Sequence, residues 1–135
     1  MTEAAVGYGM SRTVDRPYGE TVAAVREALG DQGFGVLTEI DIRATLKAKL
    51  GVDVAPQVIL GACRPPLALR ALQAEPSVGL LLPCNVVVRA LDDSTTLVEA
   101  VDPQTMVSMA GNPALQPIAD EAGSRLEAAL EAVAS

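Results

Sequence analysis

Two cysteines are the residues of this chain whose type and position best suit chemistry. Cys63 ends the apolar segment ILGAC (59–63), and Cys84 begins the segment CNVVV (84–88). The chain has no histidine, so neither thiol has the general base on which Cys-His and Ser-His-Asp catalysis depends. Free cysteines in apolar strands are most often small buried hydrophobic residues. The same two thiols could instead serve as a redox pair or a sulfur carrier.

The predicted elements around the two cysteines decide whether the thiols can meet. Cys63 ends a predicted strand just before a helix that begins at Pro65, and Cys84 begins the strand that follows this helix. If the two strands are antiparallel neighbours, the end of the first lies beside the beginning of the second. The positive end of the helix next to Cys63 would then favour a thiolate. A functional thiol pair therefore stays open beside the purely structural role.

Asn85 and Glu39 are two further candidates for a binding site. A buried Asn85 needs hydrogen-bond partners, since an unpaired amide costs about 1–3 kcal/mol, so it either bonds to a neighbouring strand or faces a ligand. Glu39 lies at the end of a predicted strand, where a carboxylate can act as acid or base or can simply be solvated. Asp41 and Asp102 lie at similar positions, but a helix cap and a turn account for them.

The sequence predicts no metal site and no cofactor. Zinc is usually held by four Cys and His ligands at short spacing, whereas this chain has two distant cysteines and no histidine. Asp92 and Asp93 lack the spaced acceptors of a calcium loop and indicate a solvated turn. Neither GYG (7–9) nor GFG (33–35) continues into a phosphate-binding loop.

Composition and charge exclude several classes of protein. Half of the 135 residues are hydrophobic but only 2% are aromatic, which predicts an aliphatic core in a single domain over residues 1–135, with its core at about 6–134. The net charge of −7 argues against nucleic-acid binding. The apolar runs are too short to span a bilayer, and the N-terminal residues do not form a signal peptide. We therefore expect a cytoplasmic protein that binds neither nucleic acid nor membrane.

The apolar pattern predicts alternating strands and helices. The predicted strands cover residues 6–14, 34–40, 58–63, 80–91 and 95–101. The predicted helices cover residues 20–29, 42–50, 65–74 and the stretch from 113 onwards. Residues 104–111 are expected to be irregular. Together these elements predict an α+β fold with a mainly antiparallel sheet and helices packed on one face.

Four phrases of the sequence resemble a known family pattern. They are GFGVLTEID (33–41), TLKAKLG (45–51), GACRP (61–65) and EPSVGLLLPCNVVV (75–88). On these phrases the chain resembles the prokaryotic domain-of-unknown-function family 302 over about residues 14–133. The resemblance implies a TATA-binding-protein-like α+β fold, often seen as a dimer, and no established activity. Arg64 departs from the family pattern, which has asparagine there, and arginine cannot accept the amide hydrogen bonds of a helix cap.

These observations place a site but leave the function unknown. We expect a small ligand-binding or interaction domain, forming a homodimer, with a site for an unidentified small molecule around Cys63, Cys84 and Asn85. Glu39 is a further candidate in that site. The alternative is a thiol-dependent redox or sulfur-carrier protein that uses Cys63 and Cys84. A third hypothesis is a structural partner protein whose sheet or terminal helix forms an interface. Whether the protein is an enzyme is left open, and no catalytic residue is assigned.

Overall fold

A five-stranded antiparallel sheet is the centre of the fold. The computed structural model describes residues 6–135. The strands are β1 Gly9–Val14, β2 Gly35–Asp41, β3 Gln57–Cys63, β4 Cys84–Ala90 and β5 Thr96–Val101. They lie in the order β1-β5-β4-β3-β2, and each neighbouring pair is antiparallel. The predicted antiparallel sheet is confirmed.

Helices connect most of the strands. They are α1 Tyr18–Asp31, α2 Ile42–Leu50, α3 Pro65–Ala74, α4 Gln104–Ala110 and α5 Gln116–Ala134, with 3-10 helices at Pro76–Leu81 and Pro113–Leu115. As predicted, the Asp41 carboxylate caps α2 by accepting a hydrogen bond of 2.8 Å from the amide of Ala44.

Within residues 6–135, no helix is both long enough and apolar enough to cross a lipid bilayer.

One face of the sheet packs against α1 and α5 to form the main hydrophobic core. Alternate strand residues such as Leu60, Val88 and Val98 contribute from the sheet, and Leu29 and Leu126 contribute from the two helices. All five residues are at most 1% exposed. Branched aliphatic side chains fill most of this helix-on-sheet interface, and Phe34 adds one buried aromatic ring to it. The core is therefore mainly aliphatic, as the composition predicted.

A second hydrophobic cluster lies at one end of the sheet. Antiparallel pairing brings the end of β3, the beginning of β4 and the end of β5 to the same place. The helices α3 and α4 and the first turns of α5 meet there, and they bury a cluster that includes Leu67, Met106, Leu115 and Ile118. The chain thus builds a small helical layer beyond the last sheet hydrogen bonds.

The structure corrects two predictions near this end of the sheet. Residues 80–83 do not extend β4: Pro76–Leu81 form a 3-10 helix, and β4 begins at Cys84. Pro83 has no amide to donate to a sheet ladder, so the strand begins only after it. The stretch 104–111 is not irregular but contains α4, whose start is supported by the Asp102 carboxylate accepting a hydrogen bond from the Gln104 amide at 2.9 Å.

Candidate ligand-binding cavity

A cavity of about 470 Å³ lies between the two hydrophobic clusters. Its sheet side includes Ala62 at the end of β3 and Cys84 at the beginning of β4. Its helical side includes Leu67 of α3, Met106 of α4 and Ile118 of α5. The cavity forms because the helical layer continues beyond the sheet and does not close down on its end.

The wall of this cavity is almost entirely apolar. Small residues such as Ala68, Ala71 and Ala122 leave space between the elements. Among the described residues that line it, only Arg64 is charged and only Thr105 carries a hydroxyl. A concave apolar space with few polar groups is the usual form of a small-molecule site.

The cavity opens to solvent beside Leu37 and Met109. Both residues line it, and they are 67% and 72% exposed. Leu37 is the extra residue of a β-bulge, because the register between β2 and β3 shifts between Val36 and Thr38. A bulge breaks the strict alternation of side chains along a strand. This break lets the leucine contribute to the cavity mouth.

Cys63 and Cys84 both line the cavity as free, half-buried thiols. Their strands are antiparallel neighbours, and Ala62 lies directly opposite Cys84. Burial raises the pKa of the Cys84 thiol to about 11, and the nearby Cys63 adds to the shift. A raised pKa keeps this thiol protonated at neutral pH, whereas redox cysteines need a lowered one. The thiol-dependent alternative is therefore not supported.

The other two candidate residues lie outside the cavity wall. Asn85 is exposed and pairs with Gly61 on the sheet face that points away from the main core. Glu39 of β2 is exposed and forms an ion pair of 2.7 Å with Arg26 of α1. The structure thus brings Cys63 and Cys84 together at one cavity, while Asn85 and Glu39 lie elsewhere.

The start of α3, which follows Cys63, offers no free amide to an anion. Its first two residues, Pro65 and Pro66, have no N–H, and the amide of Leu67 donates to the carbonyl of Arg64 at 3.0 Å. As expected, the Arg64 side chain makes no cap hydrogen bond. Because the prolines remove amides that a cap would bind, the arginine at this position costs the helix little.

Arg64 is the charged residue among the described lining residues, and the sequence assigned it no binding role. Its Nη1 atom lies 3.5 Å from a carboxylate oxygen of Glu121 on α5. The two residues are far apart in the chain, so no local pattern connects them. The one available signal was the departure of Arg64 from the asparagine of the family pattern.

Metal ligands do not cluster in the part of the chain that the structure describes. No group of three or more His, Cys, Asp or Glu residues lies close enough together there to hold a metal ion. Among the described residues, the two half-buried thiols of the cavity therefore have no third ligand close enough to complete a metal site.

The sequence pattern described as "Domain of unknown function DUF302" matches residues 10–133. The chain belongs to the DUF302 family. The family predicted from the four sequence phrases is thereby confirmed, and it has no established function.

A solved DUF302 protein has a similar structure. The crystal structure of an uncharacterized conserved DUF302 protein from Bacillus stearothermophilus is 34% identical in sequence and has a TM-score of 0.85, covering 94% of this chain and 98% of that chain. This likeness confirms the α+β fold, while the finer TATA-binding-protein-like label stays a prediction. No curated protein matches this DUF302 chain.

Proposed function

We propose that this DUF302 protein binds a small apolar molecule in the cavity beside Cys63 and Cys84. The cavity itself is the observation on which the proposal depends. Its volume of about 470 Å³ lies within the range of roughly 300–1,000 Å³ that is common for ligand pockets. Water in an apolar space has few hydrogen-bond partners, so an apolar ligand that displaces it is favoured.

Two methionines make the proposed site adaptable. Met106 and Met109 of α4 both line the cavity, and methionine side chains rearrange easily around ligands of different shape. In this proposal the two cysteines act as small apolar wall residues. We keep the cytoplasm as the expected location because both cysteines are free thiols.

Filling the cavity should weaken this binding. Ala68 of α3 is half-buried and lines the cavity, so Ala68→Phe places a phenyl ring in or across the ligand space. We expect the variant to bind the neutral apolar dye Nile red at least about tenfold more weakly than the unchanged protein. Fluorescence titration with the dye measures this change.

A matched control separates filling of the cavity from a general effect of phenylalanine. Ala128 of α5 is exposed and does not line the cavity, so Ala128→Phe should leave dye binding unchanged. Circular dichroism and thermal melting check that both variants fold. Saturable dye binding of equal strength in Ala68→Phe and Ala128→Phe would show that the cavity is not the site.

The homodimer stays a proposal with its own test. Leu80 and Met109 lie together at the surface and are 88% and 72% exposed, and association would remove such apolar surface from water. We expect sedimentation velocity over a dilution series to show a dimer that dissociates at low concentration. A monomer at every concentration would contradict the proposal.

A further inference from the structure

Three arginines, one of which lines the cavity, surround a single carboxylate. Glu121 of α5 lies 3.5 Å from Arg64, 3.7 Å from Arg70 and 3.1 Å from Arg125. Within residues 6–135, Glu121 is the one carboxylate within ion-pair distance of these three arginines. Three guanidinium groups therefore share a single negative charge, in a protein whose net charge is −7.

Arg64 connects this cluster to the cavity. Its side chain crosses Gly33, where an added Cβ would lie only 3.0 Å from the Arg64 Nε, and it lines the cavity. A guanidinium has five N–H donors, but the described residues accept no hydrogen bond from Arg64, and its Nε is buried without a partner. The arginine thus has donor capacity left for a ligand group next to the apolar wall.

We infer that the ligand is an alkyl chain that ends in a carboxylate, with the chain in the cavity and the carboxylate at Arg64. This inference rests on the proposed function and specifies its ligand. A volume of about 470 Å³ equals roughly sixteen water-sized volumes of about 30 Å³ each. A chain of about twelve carbons, such as dodecanoate, therefore suits the cavity. A planar guanidinium binds a carboxylate with good geometry.

The acidic surface of the protein does not prevent anion binding at this place. Exposed charges more than about 8 Å apart are largely screened at physiological ionic strength. The head group therefore responds mainly to the arginine cluster that it touches, and one glutamate cannot neutralise three arginines. A neutral head group would lack the charge attraction of this cluster, and a cationic head group would be repelled by it.

Displacement of Nile red by three amphiphiles with the same chain tests the ligand class. Dodecanoate, dodecanol and dodecyltrimethylammonium are each titrated below the concentration at which they form micelles. We expect dodecanoate to displace the dye at about tenfold lower concentration than dodecanol, since hydrogen bonds to charged groups are the strong ones. Dodecyltrimethylammonium should be the weakest. Equal displacement by all three would overturn the inference while leaving apolar binding intact.

Charge variants test the placement of the head group. Arg64→Gln should weaken dodecanoate about tenfold and leave dodecanol unchanged. Arg43→Gln is the matched control, because it makes the same change in net charge at an exposed residue of α2 outside the cluster. It should leave dodecanoate unchanged. Equal losses in the two variants would overturn the assignment of Arg64.

Glu121→Gln is expected to strengthen dodecanoate binding, whereas Arg64→Gln is expected to weaken it. Removing the carboxylate frees the three arginines for the ligand, so dodecanoate should bind several-fold more tightly, although the ion pairs of Glu121 are lost. Weaker dodecanoate binding in this variant would overturn the inference. Absence of saturable Nile red binding in the unchanged protein is a separate result, which would refute the proposed function itself.

Discussion

Replacing Gly61 with alanine is expected to lower the free energy of unfolding by about 3 kcal/mol. Gly61 lies in β3, and an added methyl group would overlap the hydroxyl oxygen of Thr38 and lie 2.8 Å from the Cγ atom of Pro83. The proline ring cannot rotate away as a flexible side chain can. The methyl group would therefore have to push β2, or Pro83 just before β4, away from β3.

Urea denaturation of Gly61→Ala and of a matched control measures this effect. Gly30 of α1 meets no atom within 4 Å of an added Cβ among the residues described, so Gly30→Ala should leave stability unchanged or raise it by up to about 1 kcal/mol. Thr38→Ala in the Gly61→Ala background should restore part of the loss, because the Pro83 contact remains. Equal stability of Gly61→Ala and Gly30→Ala would contradict this prediction, because it would show that the strands move apart with no loss in the free energy of unfolding.

Gly61→Ala should also disturb the cavity. Pro83 lines it and is followed directly by Cys84, so displacement of the proline shifts the beginning of β4. Gly61→Ala should therefore change both the packing of the sheet and the shape of the proposed site.

The Cys84 thiol is expected to remain protonated to unusually high pH. Burial raises its pKa from 9.0 to about 11, so at pH 9 only about 1% of this thiol should be ionised, against half of a thiol with the ordinary value. The ultraviolet absorbance of the thiolate in Cys63→Ser, followed over pH, measures the fraction; this variant removes the smaller contribution of Cys63 and keeps burial, which is the larger cause of the shift. Subtracting the titration of the double variant Cys63→Ser/Cys84→Ser removes the contribution of the tyrosines.

The same shift predicts a pH dependence of stability. The folded state holds its proton up to a pKa of about 11 and the unfolded state only to about 9.0, so the unfolded chain binds fewer protons between these values. The protonated Cys84 makes its full contribution to the free energy of unfolding below pH 9. This free energy then falls by about 2–3 kcal/mol as the pH rises through 11. Cys84→Ala should lack this loss. A thiolate midpoint at or below pH 9 would contradict both expectations and would reopen the redox hypothesis.

Much of the sheet was predictable from local pattern alone. The apolar alternation around Leu60, Val88 and Val98 marks strands with one buried face, and Asp41 marks the start of α2. Residues 80–83 were predicted wrongly because a short continuous apolar run is compatible with a strand or a helical turn. There Leu81 and Leu82 pack against the second hydrophobic cluster, and this tertiary contact decides between the two.

The sequence by itself determined the family, the antiparallel α+β fold and the region in which both cysteines lie, because these depend on spacing within short segments. Only the tertiary structure decided what that region is. A cavity exists where separate elements fail to fill the space between them, and Arg64 meets Glu121 only because α3 and α5 pack together. Asn85 follows Cys84 directly, yet strand alternation turns it to the other sheet face. Position in the chain therefore located the site, and packing selected its residues.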